Sequence, residues 1–195
     1  WVFSSADRAK AILIDQNRLL LITTAYDRFP GFLDQSIFAL GIVQEIVSPS
    51  LLVRVGLRYN DSVIPYGDDS LERYIESPWL PPDSLKEISD LLEYHREETV
   101  IGTEKGSLSV RTMISKTNLR VMPDLVGAAL VDIENNAPKD KLSAILDFDH
   151  SWKAGKEVVE FSADHAGEIL KDLHKITREA FWKTTTDFAR DERWA

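Results

Sequence analysis

Apolar side chains recur at three- and four-residue spacing over two long stretches of this 195-residue chain, and each stretch is apolar on one side only. In the first, Phe29, Phe32, Leu33, Ile37, Leu40, Val43 and Val47 share one face of a predicted helix of about five turns. Asp27 is its expected cap, and Pro30 sits in the first turn, where its missing N–H costs nothing. In the second, Ile169, Leu170, Leu173, Ile176, Ala180 and Phe181 mark the stripe of a helix opening at Ala163 behind Ser162 as N-cap. A one-sided helix must cover an apolar surface, and two such helices in one chain need a common one.

The segments between them supply strands. "KAILIDQNRLLLITTAY" reads as a hairpin around the polar turn Asp15–Arg18, and "TVIGTEKGSLSVRTMIS" as another around Glu104-Lys105-Gly106. "LVGAALVDI" and "KLSAILDFDH" read as a further strand pair flanking a polar 134–141 loop. A shorter helix is expected at "SLKE", where Ser84 and Glu87 match the capping box, after an irregular region over 66–82. Hairpin-joined strands give an antiparallel sheet. The expected fold is therefore α+β: a two-layer sandwich with a largely antiparallel sheet of about six to seven strands, covered on one face by two long helices. A single domain over residues 1–195 accounts for it. Residue 1 is Trp rather than Met, which implies a fragment lacking its N-terminal segment.

Charge and composition narrow the function classes. With 23 basic against 32 acidic residues, the net charge of −9 repels nucleic acid and anionic lipid, and no Lys/Arg run offsets it. There is no cysteine, so disulfides and thiolate chemistry are excluded; a cytoplasmic setting is expected. No stretch approaches the roughly 20 apolar residues of a membrane span, and the start does not read as a signal peptide.

Two polar patterns lie inside predicted strands. In "LLVRVGLRYNDSVI" (51–64), Val53, Val55, Leu57 and Tyr59 face one way, while Arg54, Gly56 and Arg58 face the other. The arginines either pair with carboxylates of neighbouring strands or clamp an anion, with Gly56 leaving room for it. In "ILDFDHSW" (145–152), Asp147 and Asp149 share one face and Leu146, Phe148 and His150 the other. Those carboxylates are the natural partners of Arg54 and Arg58. They are also the residues that would hold Mg²⁺ if this were a phosphate site, although D-x-D-H lacks the Gly-rich loop of phosphoryl-transfer enzymes. Arg111 is a further candidate anion contact. Catalytic residues, a cofactor and a dedicated metal site are not assigned: there is no G-x-S-x-G, P-loop, dinucleotide fingerprint or H-E-x-x-H.

Several of these residues carry a family resemblance. Trp1 and Phe3, "TTAY" (23–26), "RVGLRY" (54–59), Asp147 with Asp149, and the aromatic Phe181–Trp182 resemble the GLRY-motif family, a sporadically distributed group of bacterial and archaeal conserved hypothetical proteins. Here Asn60 follows Tyr59 directly, where that family has an intervening apolar residue. The resemblance implies a prokaryotic, cytosolic protein and carries over no catalytic residue. Two functions follow as expectations. One is a non-enzymatic ligand- or protein-binding domain that meets a protein partner or a second copy. The alternative is an enzyme or sensor acting on a phosphate-bearing small molecule through Arg54, Arg58, Arg111, Asp147 and Asp149.

Overall fold

A computed structural model describes residues 1–116, 120–126, 130–133 and 141–194. The fold is α+β, with antiparallel strands throughout and the two long helices where the three-and-four spacing puts them. The seven strands divide into two sheets. β1 (Val2–Ser4), β2 (Lys10–Ile14) and β3 (Leu19–Thr23) form a three-stranded sheet in sequence order. β4 (Arg54–Val63), β5 (Tyr94–Thr103), β6 (Gly106–Ser115) and β7 (Ser143–Lys153) form a four-stranded one in the order β4-β7-β6-β5.

α1 (Phe29–Val47) and α3 (Ala163–Thr184) cover one face of the larger sheet. Val55 and Leu57 of β4 are buried there with Leu33 of α1 and Ala166, Ile169, Leu170 and Leu173 of α3. The adjoining core gathers Leu108, Val110, Leu146 and Phe148 from β6 and β7 with Tyr74 and Ile75 of the long connection after β4. Ser162 caps α3 as expected, its hydroxyl accepting from His165 N–H. Arg28, not Asp27, occupies the N-cap position of α1 and makes no side-chain cap.

Three segments depart from expectation. Residues 83–91 form 3₁₀ turns with a break at Ile88, and of the apolar side expected after "SLKE", Leu85, Ile88 and Leu91 are exposed while Leu92 alone packs against the core. Residues 125–133 are not a strand where they are described: Pro123–Val126 is a single helical turn (α2), and residues 130–133 run as loop. Residues 127–129 and 134–140, including most of the expected polar loop, lie outside the described residues. β7 finds its neighbours instead in β4 and β6. The exposed β1 is the seventh strand.

The glycines of the two sequence-predicted features differ in kind. Gly106 closes the β5–β6 hairpin at φ +148°, and a Cβ there would collide with the carbonyl oxygen of Ser151. Gly56 leaves no cradle: a Cβ would meet only Arg54 Nη2 at 3.8 Å and His150 O at 3.9 Å, ordinary contacts. We therefore expect Gly106→Ala to cost about 2–4 kcal/mol and Gly56→Ala to be neutral or to stabilise by up to ~1 kcal/mol. Urea midpoints of the two variants check this; a Gly56→Ala loss as large as that of Gly106→Ala would contradict it.

Candidate functional site

β7 is one of the two inner strands, hydrogen-bonded on both sides, and its two faces carry different chemistry. On the face away from the helices, Asp147 lies opposite Arg111 of β6 and Asn60 of β4. Its carboxylate has no exposed surface. It accepts from Arg58 Nε at 2.7 Å and from Arg111 Nε at 2.8 Å, and Arg111 Nη2 lies 2.5 Å from the same oxygen as Arg111 Nε. Arg58 thus reaches diagonally past its direct partner Asp149. Its other edge grips Asp124 of α2 end-on, at 2.8 and 3.1 Å. Burial alone would lower the Arg58 pKa, but the Asp124 and Asp147 carboxylates overcome it and hold the guanidinium firmly charged. Burial pushes the Asp147 carboxyl up, with Arg58 and Arg111 pulling against it.

The stretch Arg120–Val126 lies as a strap over this face. Three successive outward positions of β4 each hold it: Arg58 at Asp124, Asn60 Oδ1 at Met122 N–H (2.9 Å), and Ser62 Oγ at Arg120 Nη1 (3.0 Å). Met122 is buried beneath it with Met113 of β6 and Ile145 of β7. The second face is therefore covered at this end rather than open.

The helix-side face carries polar groups of its own. His150 is fully buried. The Leu173 carbonyl, 3.1 Å away, requires a proton on Nδ1, and Nε2 then accepts from the Thr103 hydroxyl at 2.9 Å. Burial holds its pKa below the ordinary imidazole range. Beside the free edge of β4, Tyr26 and Tyr59 are joined at 3.2 Å, and the Tyr59 hydroxyl lies 3.0 Å from His174 Nδ1. Phe29 stacks flat on His174, centroids 3.8 Å apart, pinning the start of α1 to α3. Asp61 follows on the same face. It makes no hydrogen bond or ion pair among the described residues, and burial together with the Asp147 charge raises its carboxyl to about 6.

Of the sequence-predicted residues, the structure joins Arg58, Arg111 and Asp147 in one ladder. Arg54 and Asp149 stand outside it, with no hydrogen bond or ion pair among the described residues. Among those residues no three His, Asp or Glu side chains converge as metal ligands. Asp124, Arg120 and His174 leave no local signal, because each acts across long sequence separations, and Tyr26 stands out only within "TTAY". Asp61 did have a signal: it is a carboxylate in the register of Val55, Leu57 and Tyr59. Comparison with family models, curated proteins and solved structures finds no match to this chain. The site's chemistry is therefore argued from its own geometry.

Two expectations follow. Asp147→Asn leaves two largely buried guanidiniums facing a neutral amide, and should cost about 3–5 kcal/mol by urea denaturation; a loss under 1 kcal/mol would mean that the ladder is not coupled to folding. Asp61 behaves oppositely. Its folded pKa of about 6 exceeds its unfolded value of 3.8, so the penalty for ionising it is absent well below pH 3.8, grows as pH rises from there through the folded pKa and is complete above it. Asp61→Asn should therefore stabilise by roughly 1–3 kcal/mol at pH 7.5 and by only about 0.5 kcal/mol near pH 4. Denaturation at the two pH values checks the sign.

Proposed function

We propose that this chain is a non-enzymatic protein-binding domain whose working surface is the apolar face of β1–β3 and α1, and whose partner there is a second copy of the same chain. The observation that carries the reading is an open groove of about 360 Å³ between the small sheet and the helix, lined by Phe3, Ile12, Leu21, Phe38, Ile42 and Val43 among others. Along its rim, Phe38, Ile42 and Ile46 form a ridge at i, i+4 and i+8 of α1, with Phe38 71% and Ile46 76% exposed. Ridge and groove belong to one surface, so two copies related by a two-fold axis offer each other both halves of the contact. An exposed apolar surface of this kind on a soluble domain is the usual mark of an interface.

Charge supports the choice of a second copy. Residues 1–47 hold five acids (Asp7, Asp15, Asp27, Asp34, Glu45) against four bases (Arg8, Lys10, Arg18, Arg28), so nearly all of the −9 lies in the remainder. Two such faces meet without the repulsion that the rest of the surface would impose. Membership of the GLRY-motif family and a prokaryotic, cytoplasmic setting belong to the same proposal, on the strength of Arg54–Tyr59 and the cysteine-free composition. The phosphate-site alternative through Arg54, Arg58 and Arg111 is less favoured, since Asp147 and Asp124 already occupy two of the three guanidiniums.

Light scattering coupled to gel filtration tests the reading. At about 100 μM, a hundredfold above a micromolar Kd, the wild type should elute as a dimer, and Phe38→Glu with Ile42→Glu as a folded monomer. A monomeric wild type, or a dimer that both substitutions leave intact, overturns it.

A further inference from the structure

Among the described residues, the covered end of the second face holds a cation without a counter-charge. Arg120 is 7% exposed, and its one hydrogen bond among the described residues runs from Nη1 to Ser62 Oγ. Nε and Nη2, which lie along one edge of the guanidinium, are buried and have no hydrogen-bond partner. Asn60 Nδ2 is buried and unpartnered as well. Asn60 and Ser62 are successive residues on one face of β4, about 7 Å apart, so these free donors occupy neighbouring rungs. The nearby acids are otherwise placed: Asp124 and Asp147 are held by Arg58, and Asp61 points to the helix side of the strand. Burial lowers the Arg120 pKa with nothing among the described residues to offset it.

We propose that Arg120 and Asn60 form a receptor for one oxyanion group, the carboxylate or phosphate of a small molecule, seated between the strap and β4. Every free group here is a donor and none is an acceptor, so the complement has to bring acceptor oxygens. The Nε/Nη2 edge presents two parallel N–H bonds, which fits two oxygens of one carboxylate or phosphate. A bound water would satisfy a donor or two but leave the guanidinium charge uncompensated in a buried setting. The strap has to lift to admit the ligand. Its hold on the sheet consists of the Arg58–Asp124 pair, the Met122–Asn60 and Arg120–Ser62 hydrogen bonds and the Met122 packing, so it opens without breaking the bonds of Arg58 and Arg111 to Asp147. The receptor lies on the sheet face opposite α1 and does not depend on the self-association proposed above; a monomeric wild type leaves it standing.

Thermal unfolding of the full chain in sodium phosphate, sodium acetate and sodium chloride at matched ionic strength tests it. Phosphate or acetate should raise Tm saturably, by roughly 3–6 °C at tenfold excess over Kd, and chloride should not. The anion that works identifies which of the two groups the receptor takes. Arg120→Met should abolish the rise. Asn60→Asp, which keeps the acceptor for Met122 N–H and places a carboxylate on the rung next to Ser62, should abolish it too. It also serves if Arg120→Met does not fold. No rise with either oxyanion in the wild type, or an undiminished rise in Asn60→Asp, overturns the proposal.

Discussion

A carboxylate with no access to water sits at the centre of this fold, and its neighbours are arranged around it. Asp147 lies on an inner strand, paired on both sides, so it cannot escape to solvent by a shift at a sheet edge. Removing such a charge from water costs several kcal/mol, and two guanidiniums from the flanking strands repay it only if the register is right. Slipping β4 or β6 by one residue would turn Arg58 or Arg111 to the helix side and bring an apolar residue in its place. The ladder thus acts less as a source of stability than as a lock on strand register. On the other face of the same strand, His150 does a similar job by hydrogen bonds, joining β7 to α3 through the Leu173 carbonyl and to the end of β5 through Thr103.

This lock explains why two neighbouring arginines on the same surface have such different surroundings. Arg58 faces two carboxylates and is fully engaged; Arg120, on the strap over the same strand, meets one serine hydroxyl at Ser62, two rungs along. A buried guanidinium that served only to fasten the strap would be better replaced by an apolar side chain, as Met122 next to it illustrates. Keeping a charge there, with its bidentate edge free, makes physical sense where something with oxygens visits.

The legible parts of this architecture are those set by local periodicity. The stripe of α3, that of α1 from Phe29 to Leu40, the Asp15–Arg18 and Glu104–Gly106 turns and the two-faced pattern of Arg54–Tyr59 all survive folding, because each is decided within a few residues, whereas Val47 at the end of α1 is exposed. "LVGAALVDI" was misleading for the same reason. Its apolar run satisfies a strand pattern, but both sides of β7 were already taken by β4 and β6, whose register the Asp147 ladder fixes. The partners that matter most, Arg58 with Asp124, Asn60 with Met122 and Tyr59 with His174, are 66, 62 and 115 residues apart and leave no periodic trace. Even the choice of Asp147 over Asp149 by Arg58 is a diagonal contact, invisible until the pairing is known.

The unequal spread of charge links the two ends of the molecule. A net charge of −9 repels other copies at a distance, yet screening at physiological salt confines that repulsion to about 8 Å from each charge. The α1 surface carries only Asp34 and Glu45 along its length, so within that range it is close to neutral. This surface exposes Phe38, Ile42 and Ile46. The small sheet that completes the groove is tied to the rest by few polar contacts, Lys10 to Gln35 of α1 and Arg8 to Asp132. A lightly held wall beside a rigid helix can adjust to an incoming ridge, whereas the Asp147 ladder on the other side of the larger sheet cannot. Rigidity and adaptability are thus segregated, and the adaptable side is the one where repulsion is least.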